Sequence, residues 1–148
     1  MIKLKTNFLG LITIMILNSC SSSNDNPINI EQPTIINKWK LSDWKLNNVE
    51  QTLTTCDRES YIQFNSNGTF DRIDYSLQTG NCIEEGHDNG NYNYNTSTNK
   101  ITLNFTDVVS GTQIEVLNNV QLTSTKIVYT WDEDGDGNDE HKLEYLKN

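Results

Sequence analysis

From Ile35 onward, apolar and polar residues alternate with a period of two in one short segment after another. The clearest case is GNYNYNTSTNKITLNFT, residues 90–106. Tyr92 and Tyr94 alternate there with asparagines, a four-residue polar turn follows, and Ile101 begins a second alternating run. This period places successive side chains on opposite faces of a strand, and no segment shows the 3.6-residue period of an amphipathic helix. The chain from residue 35 is therefore predicted to be all-β.

Turn signals divide these segments into about eight short strands. Asn67-Gly68 is a hairpin signal between YIQF and TFDRIDY. The alternation changes phase within WKLSDWKL, which predicts a β-bulge near Ser42. The polar stretch from Gln78 to Gly90 is predicted to be a loop. About eight strands with short turns favour an antiparallel up-and-down barrel, with a β-sandwich as the alternative.

The first twenty residues, MIKLKTNFLGLITIMILNSC, have the features of a lipoprotein signal peptide. Two lysines precede an apolar run from Phe8 to Leu17, about ten residues, which is too short to span a bilayer. The run ends in Leu17-Asn18-Ser19-Cys20, which resembles the lipobox of bacterial lipoproteins. We therefore expect residues 1–19 to be removed and Cys20 to carry the lipid that anchors the chain to the membrane. Cleavage at another position and an uncleaved anchor are the alternatives.

Residues 20–34 are rich in serine and asparagine and contain both prolines of the chain, so we expect a flexible tether. The folded domain is then residues 35–148. The chain has 11 basic and 20 acidic side chains, and residues 1–19 hold two lysines and no acid, so the processed chain carries a net charge of −11. Such acidity argues against nucleic acid as a partner and favours a cation. Anionic headgroups would repel the chain, so the lipid must hold it at the membrane.

Two cysteines, Cys56 and Cys82, remain for pairing once Cys20 is lipidated. An exported protein folds in an oxidising compartment, where a disulfide is the default. Closing a loop of this length stabilises a fold by about 3.5 kcal/mol in the chain-entropy model. The alternative is a metal site that adds His87 and His141, but the sequence lacks the close Cys-x-x-Cys or His-x-x-x-His spacing of such sites.

Several spaced motifs accompany this pattern: a Trp-bearing first strand after the tether, Cys56-x7-Phe64-x3-Gly68-Thr69-Phe70, a second Cys, Gly90-Asn91-Tyr92 and Ile101-Thr102-Leu103. Together they resemble the lipocalin-like domain of Bacteroidetes outer-membrane lipoproteins, over residues 35 to about 131. The resemblance implies an eight-stranded lipocalin-type barrel on an outer-membrane lipoprotein, and it leaves the membrane face open. The usual Gly-x-Trp of the first strand is replaced by Asn37-Lys38-Trp39. We expect Trp39 still to close one barrel end.

Nine aromatic side chains lie on the alternating faces that such a barrel would enclose. A small eight-stranded barrel has room for its own side chains or for one small ligand, so a filled core and a cavity for a small apolar or aromatic molecule are both open. No nucleophile motif is present, and His87 and His141 fall in or beside predicted loops, so we expect no enzyme. The nine aromatic residues are Trp39, Phe64, Phe70, Tyr92, Tyr94, Phe105, Tyr129, Trp131 and Tyr145.

Residues 132–140, DEDGDGNDE, hold six carboxylates in nine positions. The pattern D-x-D-x-D-G-x-x-E resembles the start of an EF-hand loop, but the twelfth position is Leu143 and the flanking segments are strand-like, so this is no EF-hand. Asp139 or Glu144 would complete the coordination shell. The alternative is a solvated turn with two Asp-Gly steps. The candidate ligands of a structural Ca²⁺ ion are Asp132, Asp134, Asp136, Asn138 and Glu140.

The expected function follows from these features. We expect a membrane-anchored binding or interaction module of the cell envelope, whose partner is a small hydrophobic ligand or an envelope protein. The alternative is a purely structural envelope lipoprotein with a filled barrel. No cofactor other than calcium is expected.

Overall fold

The computed structural model describes residues 33–148, which form a closed antiparallel β-barrel. The predicted signal peptide, the lipidation of Cys20 and most of the tether 20–34 lie outside the described residues. Within residues 33–148, no helix is long or apolar enough to cross a membrane. The strands in chain order are β1 Asn37–Leu46, β2 Val49–Glu50, β3 Tyr61–Phe64, β4 Thr69–Gln78, β5 Asn81–Asn95, β6 Lys100–Asp107, β7 Gly111–Leu122, β8 Lys126–Trp131 and β9 His141–Lys147.

Eight of these strands close the barrel, which confirms the predicted fold and sets aside the sandwich. The sheet order is β2-β1-β3-β4-β5-β6-β7-β8-β9, and β1 also pairs with β9. The two-residue β2 is only an appendage of β1, and a short 3₁₀ turn, Asp57–Glu59, precedes β3. Because neighbours in sequence are neighbours in space, the turns after β4, β6 and β8 all lie at one end of the barrel, which we call the open end. The start of β1 and the turns after β3, β5 and β7 lie at the other, the closed end.

The predicted β-bulge near Ser42 is confirmed. The register between β1 and β9 shifts between Leu41, which pairs with Tyr145, and Asp43, which pairs with Glu144. The Ser42 hydroxyl donates to the Glu144 backbone carbonyl at 3.0 Å. The extra residue changes the phase of the strand, and as a result inward-facing side chains occur on both sides of the bulge.

The predicted loop from Gln78 to Gly90 is wrong. The β4–β5 ladder runs without a loop from Thr69 opposite Asn91 to Gln78 opposite Asn81. This stretch is mostly polar on both faces because the hairpin extends beyond the buried core. The sequence there lacks the apolar alternation by which a strand can be predicted.

The closed end is filled by packed side chains. Trp39 is fully buried, and its indole Nε1 donates to the Ile35 carbonyl at 2.8 Å. Phe64 packs edge to face on Tyr92, with ring centroids 4.8 Å apart. The expected role of Trp39 at this end therefore agrees with the structure. The buried core residues around it include Ile62, Phe70, Ile101, Leu103, Leu117, Val120 and Ile127.

The first half of β7 has an inverted polarity. Ile114 and Val116 share one phase, as the sequence indicates, but they are exposed on the outer surface. Glu115 between them is 11% exposed and bonds to Arg72 inside the barrel. A charged side chain therefore occupies a lumen position that the alternation alone would assign to an apolar residue.

Candidate functional site

A cavity of about 280 Å³ lies toward the open end of the barrel. Strands β1, β4, β7, β8 and β9 form its walls, and the segment of residues 51–60 between β2 and β3 contributes the rest. Its apolar lining is Leu41, Leu53 and Leu143. Its aromatic lining is Trp44, Tyr75, Tyr129, Trp131 and Tyr145. The barrel thus combines a filled end with a cavity, where the sequence left these two possibilities open.

Two buried tyrosines form the inner part of this lining. Tyr129 and Tyr145 are each 2% exposed, their rings stack with centroids 5.6 Å apart, and the Tyr129 hydroxyl donates to the Tyr145 hydroxyl at 3.1 Å. Burial raises the pKa of both hydroxyls. Both rings therefore remain neutral over the physiological range.

An ion-pair network crosses the lumen beside the tyrosines. The Arg72 guanidinium donates from Nη1 and Nη2 to Glu115 at 2.8 and 2.9 Å, and from Nε and Nη2 to Asp88 at 3.2 and 2.6 Å. Burial lowers the pKa of Arg72, but the bonds and charges of the two carboxylates outweigh it and hold the pKa well above its usual value. Arg72 is thus a fully charged centre that joins β4, β5 and β7.

Asp74 lies two residues further along the same face of β4. It lines the cavity and is open to solvent on one side. Burial among the barrel walls raises its pKa, the Arg72 charge opposes that effect, and the Asp88 and Glu115 charges add to it. This end of the lumen is therefore acidic.

His141 connects the cavity wall to the acidic turn between β8 and β9. The Trp44 indole donates to His141 Nδ1 at 3.0 Å, so Nδ1 acts as an acceptor and the other ring nitrogen carries the proton. His141 Nε2 then donates to Glu133 at 2.9 Å. The imidazole lies nearly parallel to the Trp44 ring, with centroids 5.8 Å apart, and its centroid is 4.9 Å from that of the Trp131 ring. It is a buried packing element, 8% exposed.

The disulfide between Cys56 and Cys82 is confirmed. It joins the segment 51–60 to the start of β5, with Cα atoms 5.2 Å apart. Both sulfurs are used, which excludes the alternative metal site with His87 and His141. Because Leu53 and Asp57 in that segment line the cavity, the disulfide holds one wall of it in place.

His87 is not in a loop, because β5 extends through it. It faces the outer surface, where its Nε2 bonds to Asp71 at 2.7 Å. The hydrogen bond to Asp71 is the main cause of a raised pKa at His87. The residue takes no part in the cavity.

The acidic turn brings four predicted ligands together. Asp132, Asp134, Asp136 and Glu140 each offer one oxygen, and these atoms lie within 4.8 Å of one another. The turn is built by backbone donors: the amides of Gly135 and Gly137 both donate to Asp132, at 2.7 and 2.9 Å. Both glycines have positive φ, 76° and 94°, which other residues rarely adopt. This set of carboxylates could hold a metal ion.

Three other residues considered for this site form hydrogen bonds or ion pairs of their own. The Asn138 amide donates to both carboxylate oxygens of Asp136, at 2.9 and 3.0 Å. Asp139 accepts from Asn118 and Asn119, and Glu144 pairs with Lys126 at 2.8 Å. Neither Asp139 nor Glu144 therefore completes a coordination shell in this arrangement.

The sequence reasoning missed the lumen charges. Arg72 and Asp74 share the phase of the buried Phe70, and Asp88 lies directly opposite Arg72. Counting positions from Phe70 would have placed both β4 residues inside. The assumption that every inward position is apolar prevented this conclusion, and Glu115 was missed for the same reason.

One comparison with known proteins gives a match, to a protein family. Residues 35–140 match the model of a family described as a lipocalin-like domain, and this match covers well over half of the chain. Searches of curated proteins and of solved structures found no match.

Proposed function

The chain belongs to the lipocalin-like domain family, and we propose that it is a lipid-anchored binding module of the bacterial cell envelope whose barrel takes one small ligand. The observation that carries the proposal is the cavity of about 280 Å³ toward the open end. Lipocalin-like barrels are typically binding folds, and the earlier expectation that this one is not an enzyme stays a prediction.

The size and lining of the cavity limit the ligand. Pockets for drug-sized molecules usually measure roughly 300–1,000 Å³, and a cavity of about 150 Å³ can hold benzene. A volume of about 280 Å³ therefore suits a molecule of one or two rings. The aromatic and leucine side chains of the lining favour an apolar body, as the sequence led us to expect.

The alternative is a purely structural envelope protein. The filled closed end supports it, because the core around Trp39 would stabilise the barrel without any ligand. The Arg72 network also occupies lumen space that a ligand would otherwise use.

Native mass spectrometry of the protein purified from its host separates these two functions. We expect a co-purifying small molecule and, after its removal, uptake of a small neutral naphthalene dye. Leu53→Trp should fill the cavity and abolish dye uptake, whereas the matched change Ile114→Trp on the outer surface should leave it unchanged. A bare mass together with no dye uptake would favour the structural role.

The proposed lipid anchor rests on the sequence around Cys20. We propose an outer-membrane lipoprotein of the Bacteroidetes type, cleaved before Cys20, with the tether 20–34 leading to the barrel. Labelling cells with a radioactive fatty acid should mark the wild-type chain, and Cys20→Ser should abolish both the label and membrane association. Retention of the label in that variant would mean that the lipid is attached elsewhere or that no lipobox is used.

The acidic turn is proposed as a structural calcium site. The four converging carboxylates support it, and so does the preference of Ca²⁺ for six to eight oxygens, the rest coming from backbone carbonyls or water. Without a bidentate Glu at the twelfth position we expect affinity toward the millimolar end. A bound ion would offset the repulsion and stabilise the β8–β9 hairpin.

Thermal unfolding tests the calcium proposal. The midpoint should rise as calcium is added to several millimolar, because the ion binds the folded state, and EDTA should reverse the rise. Asp134→Asn with Asp136→Asn should abolish the shift. A pair of equal charge change on β5, Glu84→Gln with Glu85→Gln, should preserve it. No shift in the wild-type chain would leave the segment as a solvated turn.

A further inference from the structure

More negative than positive side chains line the cavity. Three carboxylates, those of Asp57, Asp74 and Glu115, line it together with one guanidinium, that of Arg72. His141 adds no positive charge in this arrangement, because its Nδ1 accepts an indole hydrogen bond and so carries no proton. The lining therefore has an excess of negative charge, and the overall acidity of the chain strengthens it.

Arg72 is a poor anchor for an anionic ligand. A guanidinium has five N–H donors, and the bonds to Asp88 and Glu115 account for four of them. Only one N–H of Nη1 remains, so a ligand carboxylate could form a bidentate pair only by displacing one of these two partners, and it would then lie close to Asp74. Both steps are unfavourable, so the network acts as a fixed wall of the cavity.

Asp74 is the carboxylate that remains available. Among residues 33–148, none of the ion pairs involves it, and the causes of its raised pKa include no hydrogen bond. Its charge also contributes to the raised pKa of Tyr145, so it lies within electrostatic reach of the aromatic lining. Asp57, the other lining carboxylate outside the ion pairs, accepts a hydrogen bond from the Thr54 amide. Within the described residues, Asp74 is thus the lining carboxylate with neither an ion pair nor a hydrogen bond, and it lies beside several aromatic rings.

We propose that the ligand is a small organic amine bound as its ammonium ion, with the nitrogen against Asp74 and the apolar part among the aromatic side chains. An ammonium group gains both from a carboxylate and from the faces of Trp and Tyr rings, and the gain grows as water is excluded. The volume of about 280 Å³ suits a single aromatic ring system with a short aminoalkyl chain. This inference rests on the proposed function, since it requires that the cavity holds a ligand.

A series of three ligands that share one ring system and differ in charge tests the inference. Tryptamine, tryptophol and indole-3-propionate share an indole on a two-carbon chain and end in a cation, an alcohol and an anion. Isothermal titration calorimetry would use the full chain as its host processes it, in zwitterionic lipid nanodiscs, with empty nanodiscs as the blank. We expect tryptamine to bind about tenfold more tightly than tryptophol, and indole-3-propionate to bind most weakly.

Two isosteric variants test whether Asp74 causes the preference for tryptamine. Asp74→Asn should weaken tryptamine binding until its affinity lies within about twofold of that of tryptophol. Asp43→Asn makes the same chemical change on β1 outside the cavity lining, and it should preserve the tenfold preference. Phenethylamine, with a smaller ring, provides a second amine.

Each outcome has a distinct meaning. Equal affinity for the three indoles, or a preference for the anion, would overturn the amine inference and leave the ligand-binding function standing. Failure of both amines to bind would also overturn it, and dye uptake into the cavity would then decide separately whether the barrel takes any ligand. A preference for tryptamine that survives Asp74→Asn would remove Asp74 from the inference and overturn it in this form.

Discussion

The two ends of this barrel are built from the same strands but with different chemistry. At the closed end, inward positions are apolar, and the fully buried Trp39 and Phe64 exclude water. At the open end, the same strands place Arg72, Asp74 and Glu115 inside and leave a cavity. The period of two therefore directs side chains into the lumen along its whole length, but the residue type decides whether the lumen is a core or a site.

This difference divides stability from function. Apolar burial contributes roughly 25 cal/mol per Å², so the closed end supplies most of the stabilising contacts. The charged groups of the open end contribute less to the free energy of unfolding, because burying each of them carries a desolvation cost. Substitutions at the closed end should mainly change the free energy of unfolding, and those at the open end should mainly change what the barrel binds.

The largest expected effect comes from the closed end. Trp39→Ala should lower the free energy of unfolding by about 4 kcal/mol, because it leaves a large cavity in a core that cannot collapse to fill it. Trp44→Ala at the open end should cost about half as much, since Trp44 is only half-buried and already borders a cavity. Urea denaturation of both variants checks this. Equal losses would mean that the two ends are packed alike.

The disulfide should be the strongest single constraint at the open end. Replacing Cys56 and Cys82 with alanine should lower the free energy of unfolding by about 3 kcal/mol through the entropy of the opened loop. Hydrogen exchange should show the loss of protection in residues 51–60, and the amides of Phe64 and Phe70 should open only with global unfolding. A loss of protection spread evenly over both ends would contradict this division. Intact protein under the same denaturant-free conditions is the control.

Local signals predicted much of the fold. The phase change at Ser42, the Asn67-Gly68 hairpin and the pairing of Cys56 with Cys82 each depend on a few residues or on the compartment, and all three are present. The spacing of carboxylates in residues 132–140 likewise predicted which side chains would converge.

The open end was harder to predict because its features depend on partners distant in sequence. Glu115 lies 43 residues from Arg72, so nothing near either residue indicates that a charge at an inward position is neutralised. The β4–β5 extension has polar residues on both faces and lacks the alternation that marks other strands. The direction of the Asn138 and Asp139 side chains depends on hydrogen bonds that form only after the turn has folded.

Removing Arg72 should reveal the cost of the lumen charges. Arg72→Met should lower the free energy of unfolding by about 2–3 kcal/mol, because Glu115 and Asp88 lose the cation that compensates them. Chemical denaturation measures the loss. Adding Glu115→Gln should restore part of it, whereas Arg58→Met, whose hydrogen bond to a backbone carbonyl is exposed, should cost less than about 1 kcal/mol. If the double variant were no more stable than the single one, loss of packing rather than charge would be the cause.

The smallest effect should have the opposite sign. Burial raises the pKa of Asp74, so the folded state binds this proton more tightly than the unfolded state does. The protonated form therefore contributes stability below the unfolded pKa, and this contribution is lost as the pH rises through the folded pKa. At neutral pH, Asp74→Asn should raise the melting midpoint. The gain in the free energy of unfolding should be less than about 1 kcal/mol, because water at the open end screens the charge.

The pH dependence separates this effect from a simple packing gain. As the pH falls through the raised pKa of Asp74, the wild-type carboxyl becomes neutral and the advantage of Asp74→Asn should vanish. Tryptamine adds the functional half of the comparison. At neutral pH it should raise the midpoint of the wild-type chain more than that of Asp74→Asn, since only the wild-type carboxylate can pair with the ammonium group. The stability gain of Asp74→Asn could instead stay constant with pH and be unaffected by tryptamine. The Asp74 charge would then be neither destabilised by burial nor available to pair with a cation.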